Sequence, residues 1–307
     1  MAPRKAAGFL FLMLAALADT LVIFIAASLT KPMQPALDTF SARTGIVVLR
    51  ESGGSLEHAR KVTELQRIPD LLLLADADVF PRLLSPRYTT WFAEFARNRM
   101  VVAYTAKSKH ASDITSANWY ELLRGKDVEV GRTDPDAAPV GYRTVLMLQL
   151  AERHYRRPGL AKALEENAPK RNMRANAAEL AALLAAGELD YIYEYQSVAE
   201  SNGFRFVRLP GEIDLGDPNR AAAYHDVATT VRGSSPGTSM TVRGEPILYG
   251  MSIPTAAPHA AAARRFLEYL MTPDVLRQLR AAHVDMLDHA IVVGPGAPPE
   301  LTRGARR

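Results

Sequence analysis

The chain has 307 residues, 48% of them hydrophobic, enough apolar material for a large core and more length than one domain usually holds, so two lobes are expected. The net charge of +4 falls partly on Arg4, Lys5, Arg303, Arg306 and Arg307 at the ends, which leaves no basic face of the kind that holds nucleic acid. Cysteine is absent, which excludes disulfides, thiolate catalysis, thiolate zinc sites and a lipid-modified cysteine anchor.

The N-terminus has the parts of a secretory signal. Arg4 and Lys5 give a positive start, Gly8 to Leu17 a short apolar core, and Ala16, Leu17 and Ala18 a small-x-small cleavage site. Residues 1–18 are therefore expected to be removed, leaving a periplasmic or otherwise extracytoplasmic chain that starts at Asp19. The competing reading is an uncleaved membrane anchor, because apolar residues resume at Leu21 and continue to Leu29. Asp19 interrupts that run, and Leu21 to Ile25 is needed as the first strand.

That strand is an unbroken β-branched run, and Ala26, Ala27 and Ser28 turn it into a helix, with Ser28 read as the helix cap. Gly45 to Arg50 and Ser52 to Ser55 repeat the arrangement: strand, small-residue turn, serine, helix from Leu56. Two such units in succession predict neighbouring parallel strands with both helix N-termini at one sheet edge, where ligands of open α/β sheets sit. Asp70 to Phe80 reads as a third buried strand. Met100 to Tyr104 leads into a second lobe, where Pro139 opens a long helix to about Tyr155 and Asn176 caps another from Ala177 to Ala186, stopped by Gly187. Strands follow at Asp190 to Tyr195 and Phe204 to Leu209; the stretch Tyr224 to Val231 carries the chain back, Ile247 to Ile253 is a strand and Ala256 to Thr272 a helix. The expected division is 19–103 with 226–293 as the first lobe, 104–225 as the second, and a disordered tail over 294–307.

Catalytic motifs are missing. The seven histidines are dispersed without H-x-x-x-H spacing, and there is no phosphate-binding G-x-x-x-x-G-K-[ST] loop. Gly233 to Gly237 matches G-x-S-x-G, the nucleophile elbow of hydrolases, but a turn and strand follow where a helix is required, so a hairpin loop is expected. What remains is a set of neutral donors: Ser28, Ser55, the turn at Val140, the helix start at Ala177, and Tyr195. Backbone N–H groups, hydroxyls and helix dipoles can hold a doubly charged oxyanion without counter-charges. They supply no general acid or base, so binding without catalysis is expected, and no cofactor.

The sequence also resembles the extracytoplasmic molybdate/tungstate-binding proteins of ABC uptake systems, above all their tungstate-type branch. The resemblance is carried, in order, by Ala27 to Leu29, Glu51 to Ser55, Arg60 to Leu65, Trp91 to His110, Asn118 to Leu123, Gly141 to Thr144, Gly187 to Ala199, Leu209 to Leu215 and Gly244 to Gly250. It implies a two-lobed α/β fold, the second type of periplasmic binding protein, with hinged lobes that close on the ligand, and a permease with its ATPase as partners. The ligand would be molybdate or tungstate, its metal bound as the oxyanion. The family's contacting serines fall on Ser28, beside Ala27, and on Ser55, and its tyrosine on Tyr195. Its turn before Gly-Tyr-Arg falls on Ala138, Pro139 and Val140. Two carboxylate ligands of the tungstate-type branch are replaced by Ala138 and Ala177, which implies hydrogen bonding to a tetrahedral anion in place of metal coordination. Sulfate or another tetrahedral oxyanion, or a role as an oxyanion-sensing partner protein, are the alternatives.

Overall fold

In the computed structural model, which describes residues 19–233 and 235–302, the first strand forms where the apolar run predicts it. The expected signal segment lies outside the described residues. Strand β1 (Thr20–Ala26) passes into α1 (Ala27–Thr44), and β2 (Val47–Gly53) into α2 (Ser55–Thr63); β3 (Leu71–Leu74), a π-turn at Phe80–Leu84 and β4 (Phe92–Arg97) follow. The chain then crosses through Asn98 and Arg99 into β5 (Met100–Tyr104), α3 (Trp119–Leu122), β6 (Val130–Thr133), α4 (Pro139–Tyr155), α5 (Leu160–Glu166) and β7 (Met173–Arg174). Next come α6 (Ala177–Ala186), β8 (Tyr191–Tyr195), α7 (Gln196–Ser201) and β9 (Arg205–Arg208). The return runs through α8 (Ala221–Tyr224), β10 (Ala228–Arg232), β11 (Ser239–Arg243) and β12 (Leu248–Ser252), and ends with α9 (Ala260–Leu270), α10 (Pro273–Ala281), β13 (Asp285–Val293) and α11 (Pro299–Thr302).

Two mixed sheets result, each flanked by helices. The first has the order β13-β4-β12-β3-β1-β2 and the second β7-β6-β8-β5-β9. Strand β1 is central, parallel to both β2 and β3, and its Leu21, Ile23 and Ile25 are fully buried. Late strands complete the first sheet: β12 inserts antiparallel between β3 and β4, and β13 adds to β4. The hairpin β10–β11 belongs to neither sheet. It holds the G-x-S-x-G run in its turn, as a hairpin loop and not a nucleophile elbow.

Two expectations need correction. The third strand stops at Leu74, because the Asp76 carboxylate accepts the N–H of Asp78 at 3.0 Å and bends the chain into a turn. The tail is ordered as far as residue 302, since Leu301, its large apolar side chain, is buried beside α9.

The second sheet contains one charged side chain with a poor environment. Glu194 shares its face of β8 with Ile192, which packs among Val101, Ala103, Leu180, Leu184 and Ala199. Its Oε1 accepts the N–H of Tyr195 at 2.7 Å, while Oε2 has no partner. Burial pushes the carboxyl from its ordinary 4.5 up to about 8, against the opposing effect of the Tyr195 N–H. Between those values the folded chain keeps a proton that the unfolded chain has lost, so stability falls as pH rises through the window, and the loss is complete above about 8. Glu194→Gln should therefore unfold at a higher temperature than wild type at pH 8, with the difference shrinking towards pH 5. A wild-type advantage at pH 8 in thermal unfolding would mean that the ionised carboxylate is well held.

Candidate functional site

Strand register brings the first two candidates together. The β1–β2 ladder ends on the pair Ala26 and Gly53, so Ala27 and Ser28 leave the sheet alongside Gly54 and Ser55. The serines are not helix caps, as the sequence suggested. The caps are Ala26 and Gly54, neither with a side-chain bond, and Ser28 and Ser55 sit inside the first turns of α1 and α2. Glycine takes the second cap because a Cβ at Gly54 would lie 2.2 Å from the carbonyl oxygen of Ala137, on the segment leading into α4. That placement frees both hydroxyls for other partners. From the other sheet, α4 starts at Pro139 after Ala138, and α6 starts at Ala177 after Asn176, whose side chain accepts the Glu179 N–H at 3.1 Å.

All eight candidates, Ala27, Ser28, Ser55, Ala138, Pro139, Val140, Ala177 and Tyr195, line one small cavity between the sheets, enclosing about 220 Å³ of atom-free space. Ala26, Gly53, Gly54, Ala75 and Asn176 complete the wall. No lining residue carries a charge. Four helices of eight residues or more point their N-termini here, each presenting N–H groups without an intrahelical acceptor and a partial positive charge.

The three hydroxyls are wired alike. Ser55 Oγ accepts the N–H of Ala75 at 2.9 Å, Ser28 Oγ accepts from Tyr249 Oη at 3.0 Å, and Tyr195 Oη accepts from Arg143 Nη1 at 2.8 Å. Each oxygen already takes a proton from the protein, so each keeps its own proton to give to the cavity. Burial raises the Tyr195 pKa and keeps its phenol a neutral donor. Arg143 stands behind it, fully enclosed, with Nη2 3.1 Å from Asp76 and Nη1 2.6 Å from the Ala75 carbonyl oxygen. Burial opposes its charge, but Asp76 outweighs burial and holds the guanidinium protonated. Tyr142 donates to the other Asp76 oxygen. Sequence reasoning missed Asp76, Arg143 and Tyr249. The one available signal was Asp76 itself, a carboxylate interrupting an apolar run.

The sheets also meet around the cavity. Glu57 N–H donates to Ala137 O at 3.2 Å, and Lys31 Nζ to Asn202 Oδ1 at 3.1 Å. Arg60 on α2 donates from Nε to Gly233 O at 3.2 Å, from Nη2 to Arg232 O at 2.6 Å, and from Nη1 to Asp136 O. One guanidinium thus joins the first sheet's helix to the hairpin and to the approach of α4. Among the described residues, no group of three or more acidic or histidine side chains could hold a metal ion, and no helix is long and apolar enough to cross a membrane. Chemically, the arrangement can enclose a small anion and release it. It has no nucleophile with a base beside it.

Comparison with known proteins fits this chemistry. A family model described as bacterial extracellular solute-binding protein matches residues 21–283. An uncharacterized solute-binding protein of Petrotoga mobilis is 41% identical over 82% of this chain and 79% of its own length. The molybdate/tungstate-binding protein WtpA of Thermococcus kodakarensis is 34% identical over 92% of this chain and 86% of its own. In fold, the chain is similar to the sulfate-binding protein SubI of Mycobacterium tuberculosis, with a TM-score of 0.60 at 14% identity over 88% of each chain.

Contact between Gly54 and Ala137 makes a test of closure. Gly54→Ala should leave each sheet folded, with an unfolding temperature within a few degrees of wild type, yet hold the two halves apart. In excess molybdate, small-angle scattering should give the variant a larger radius of gyration than wild type. Equal radii would show that the added methyl is absorbed locally.

Proposed function

The chain belongs to the bacterial extracellular solute-binding proteins, and from the chemistry of its cavity we propose that it captures molybdate or tungstate outside the cytoplasm, as the intact tetrahedral oxyanion, and hands it to the permease and ATPase of an ABC uptake system. The observation that carries this reading is the wall of the cavity: three hydroxyls, each with its proton free, and four helix N-termini, with no carboxylate among the lining residues. A tetrahedral anion offers four oxygens as acceptors and no proton, which matches a shell made of donors.

Ala138 and Ala177 stand where the resemblance gives the tungstate-type branch its carboxylate ligands. Methyl groups cannot bond to a metal, so here the anion keeps four-fold coordination and is recognised by its oxygens. The same wall disfavours protonated oxyanions. The O–H of hydrogen phosphate would find no carboxylate to accept it, and a buried unpaired donor costs about 1–3 kcal/mol.

Calorimetry with molybdate, tungstate, sulfate and phosphate tests the proposal. Molybdate and tungstate should bind more tightly than sulfate, and phosphate should not compete; tighter binding of sulfate would reassign the ligand. Ser28→Ala and Ser55→Ala should each weaken molybdate binding by roughly 1.5–3 kcal/mol, the worth of a charge-assisted hydrogen bond. An X-ray absorption spectrum of the tungstate complex should show four-coordinate metal, and six-coordination would overturn the binding mode.

A further inference from the structure

We propose that Asn98 is a positioning residue for oxyanion binding: from the crossing between the two sheets it fixes, through Tyr249, the direction in which the Ser28 hydroxyl points. The inference rests on the oxyanion reading of the cavity and adds a residue that does not line it.

Asn98 lies between β4 and β5, where the chain leaves the first sheet for the second. Its Oδ1 accepts the N–H of Arg99 at 3.0 Å and of Ser197 at 3.4 Å, which settles the orientation of the carboxamide. Its Nδ2 then faces two hydroxyls, Ser197 Oγ at 2.7 Å and Tyr249 Oη at 2.9 Å. Ser197 belongs to the first turn of α7, directly after Tyr195, and Tyr249 belongs to β12 of the first sheet. Asn98 therefore has a partner on each side of the crossing. An amide nitrogen can only donate. Tyr249 must accept from it and give its own proton onward to Ser28, which must in turn give its proton to the cavity. Burial pushes the Tyr249 phenol up to about 12, so its proton is in place. The Tyr249 ring is fully buried, in contact with Phe95 and Tyr195, and cannot swing to another partner. Any opening that parts Ser197 from Tyr249 also disturbs the group that aims Ser28.

Asn98→Asp tests the relay, because a carboxylate of nearly the same shape can only accept. Tyr249 would then donate to the introduced carboxylate and accept from Ser28, turning the Ser28 proton away from the ligand. Molybdate binding should weaken by about 100-fold or more, from a lost charge-assisted bond together with repulsion. Adding Tyr249→Phe cuts the wire. The double variant N98D/Y249F should bind about tenfold more tightly than N98D alone, whereas a structural lesion would deepen with a second substitution. A cycle of single hydroxyl deletions gives the second measurement. Tyr249→Phe should cost about 3- to 10-fold in the wild-type background and no more than about twofold when Ser28 is already alanine. If N98D does not fold, as judged by thermal unfolding, this cycle decides alone. Absence of molybdate binding by wild type would overturn the reading of the site. Wild-type binding combined with equally weak N98D and N98D/Y249F, or with a Tyr249→Phe cost of the same size in both backgrounds, would overturn the relay alone.

Discussion

A buried anion must recover in hydrogen bonds and dipoles what it loses in hydration, and this constraint governs the cavity. The solution here is to commit every hydroxyl in advance. Ala75, Tyr249 and Arg143 each donate to one of the three hydroxyl oxygens, so no donor has to reorganise when an anion arrives. Much of the surrounding structure serves that commitment. Strand β3 ends at Leu74, which releases the Ala75 N–H towards Ser55 and leaves Asp76 free to pair with Arg143. Insertion of β12 between β3 and β4 brings Tyr249 over Ser28. A residue remote in sequence thereby sets the state of a side chain near the N-terminus of the described fold.

The same economy holds where the two halves meet. The interlobe bonds of Arg60 all end on backbone carbonyls, and Glu57 reaches a carbonyl through its own N–H. Carbonyl acceptors have fixed geometry and do not titrate, so these contacts form only when the halves reach one particular approach. The buried Asp76–Arg143 pair adds a charged element across the same boundary, between the segment after β3 and α4. Taken singly, either member would leave an uncompensated charge in the interior, a loss of about 3–5 kcal/mol. The two therefore favour the closed approach together, and Tyr195 takes its hydrogen bond from the result.

Local sequence carries the parts of this design that depend on local physics. The β-branched run of β1, its repeat in β2, the N-cap at Asn176 and the stop at Gly187 are all written in a few consecutive residues, and the parallel register of β1 and β2 follows from the repeated spacing. Reading two serines as caps was wrong because the true constraint at Gly54 is a backbone remote in sequence, the carbonyl of Ala137. Asn98 and Tyr249 gave no local signal. Their roles come from the order of strands in a sheet, which periodicity does not report. The ordered tail was misread for a similar reason, since Leu301 is anchored by a wall that only tertiary packing supplies.

Neutrality of the lining also bears on how such a site lets go. A full cation placed against a dianion attracts it over a long range, and the attraction survives a modest separation. Dipoles at four helix N-termini and three hydroxyl protons act only within the first turn and in good alignment. Two of the helices, α1 and α2, leave the first sheet, and the other two, α4 and α6, flank the second. Parting the halves withdraws half of the helix dipoles at once and admits water to the rest. Affinity is then a property of closure and not of either half, so the motion that opens the cleft is also the step that frees the anion.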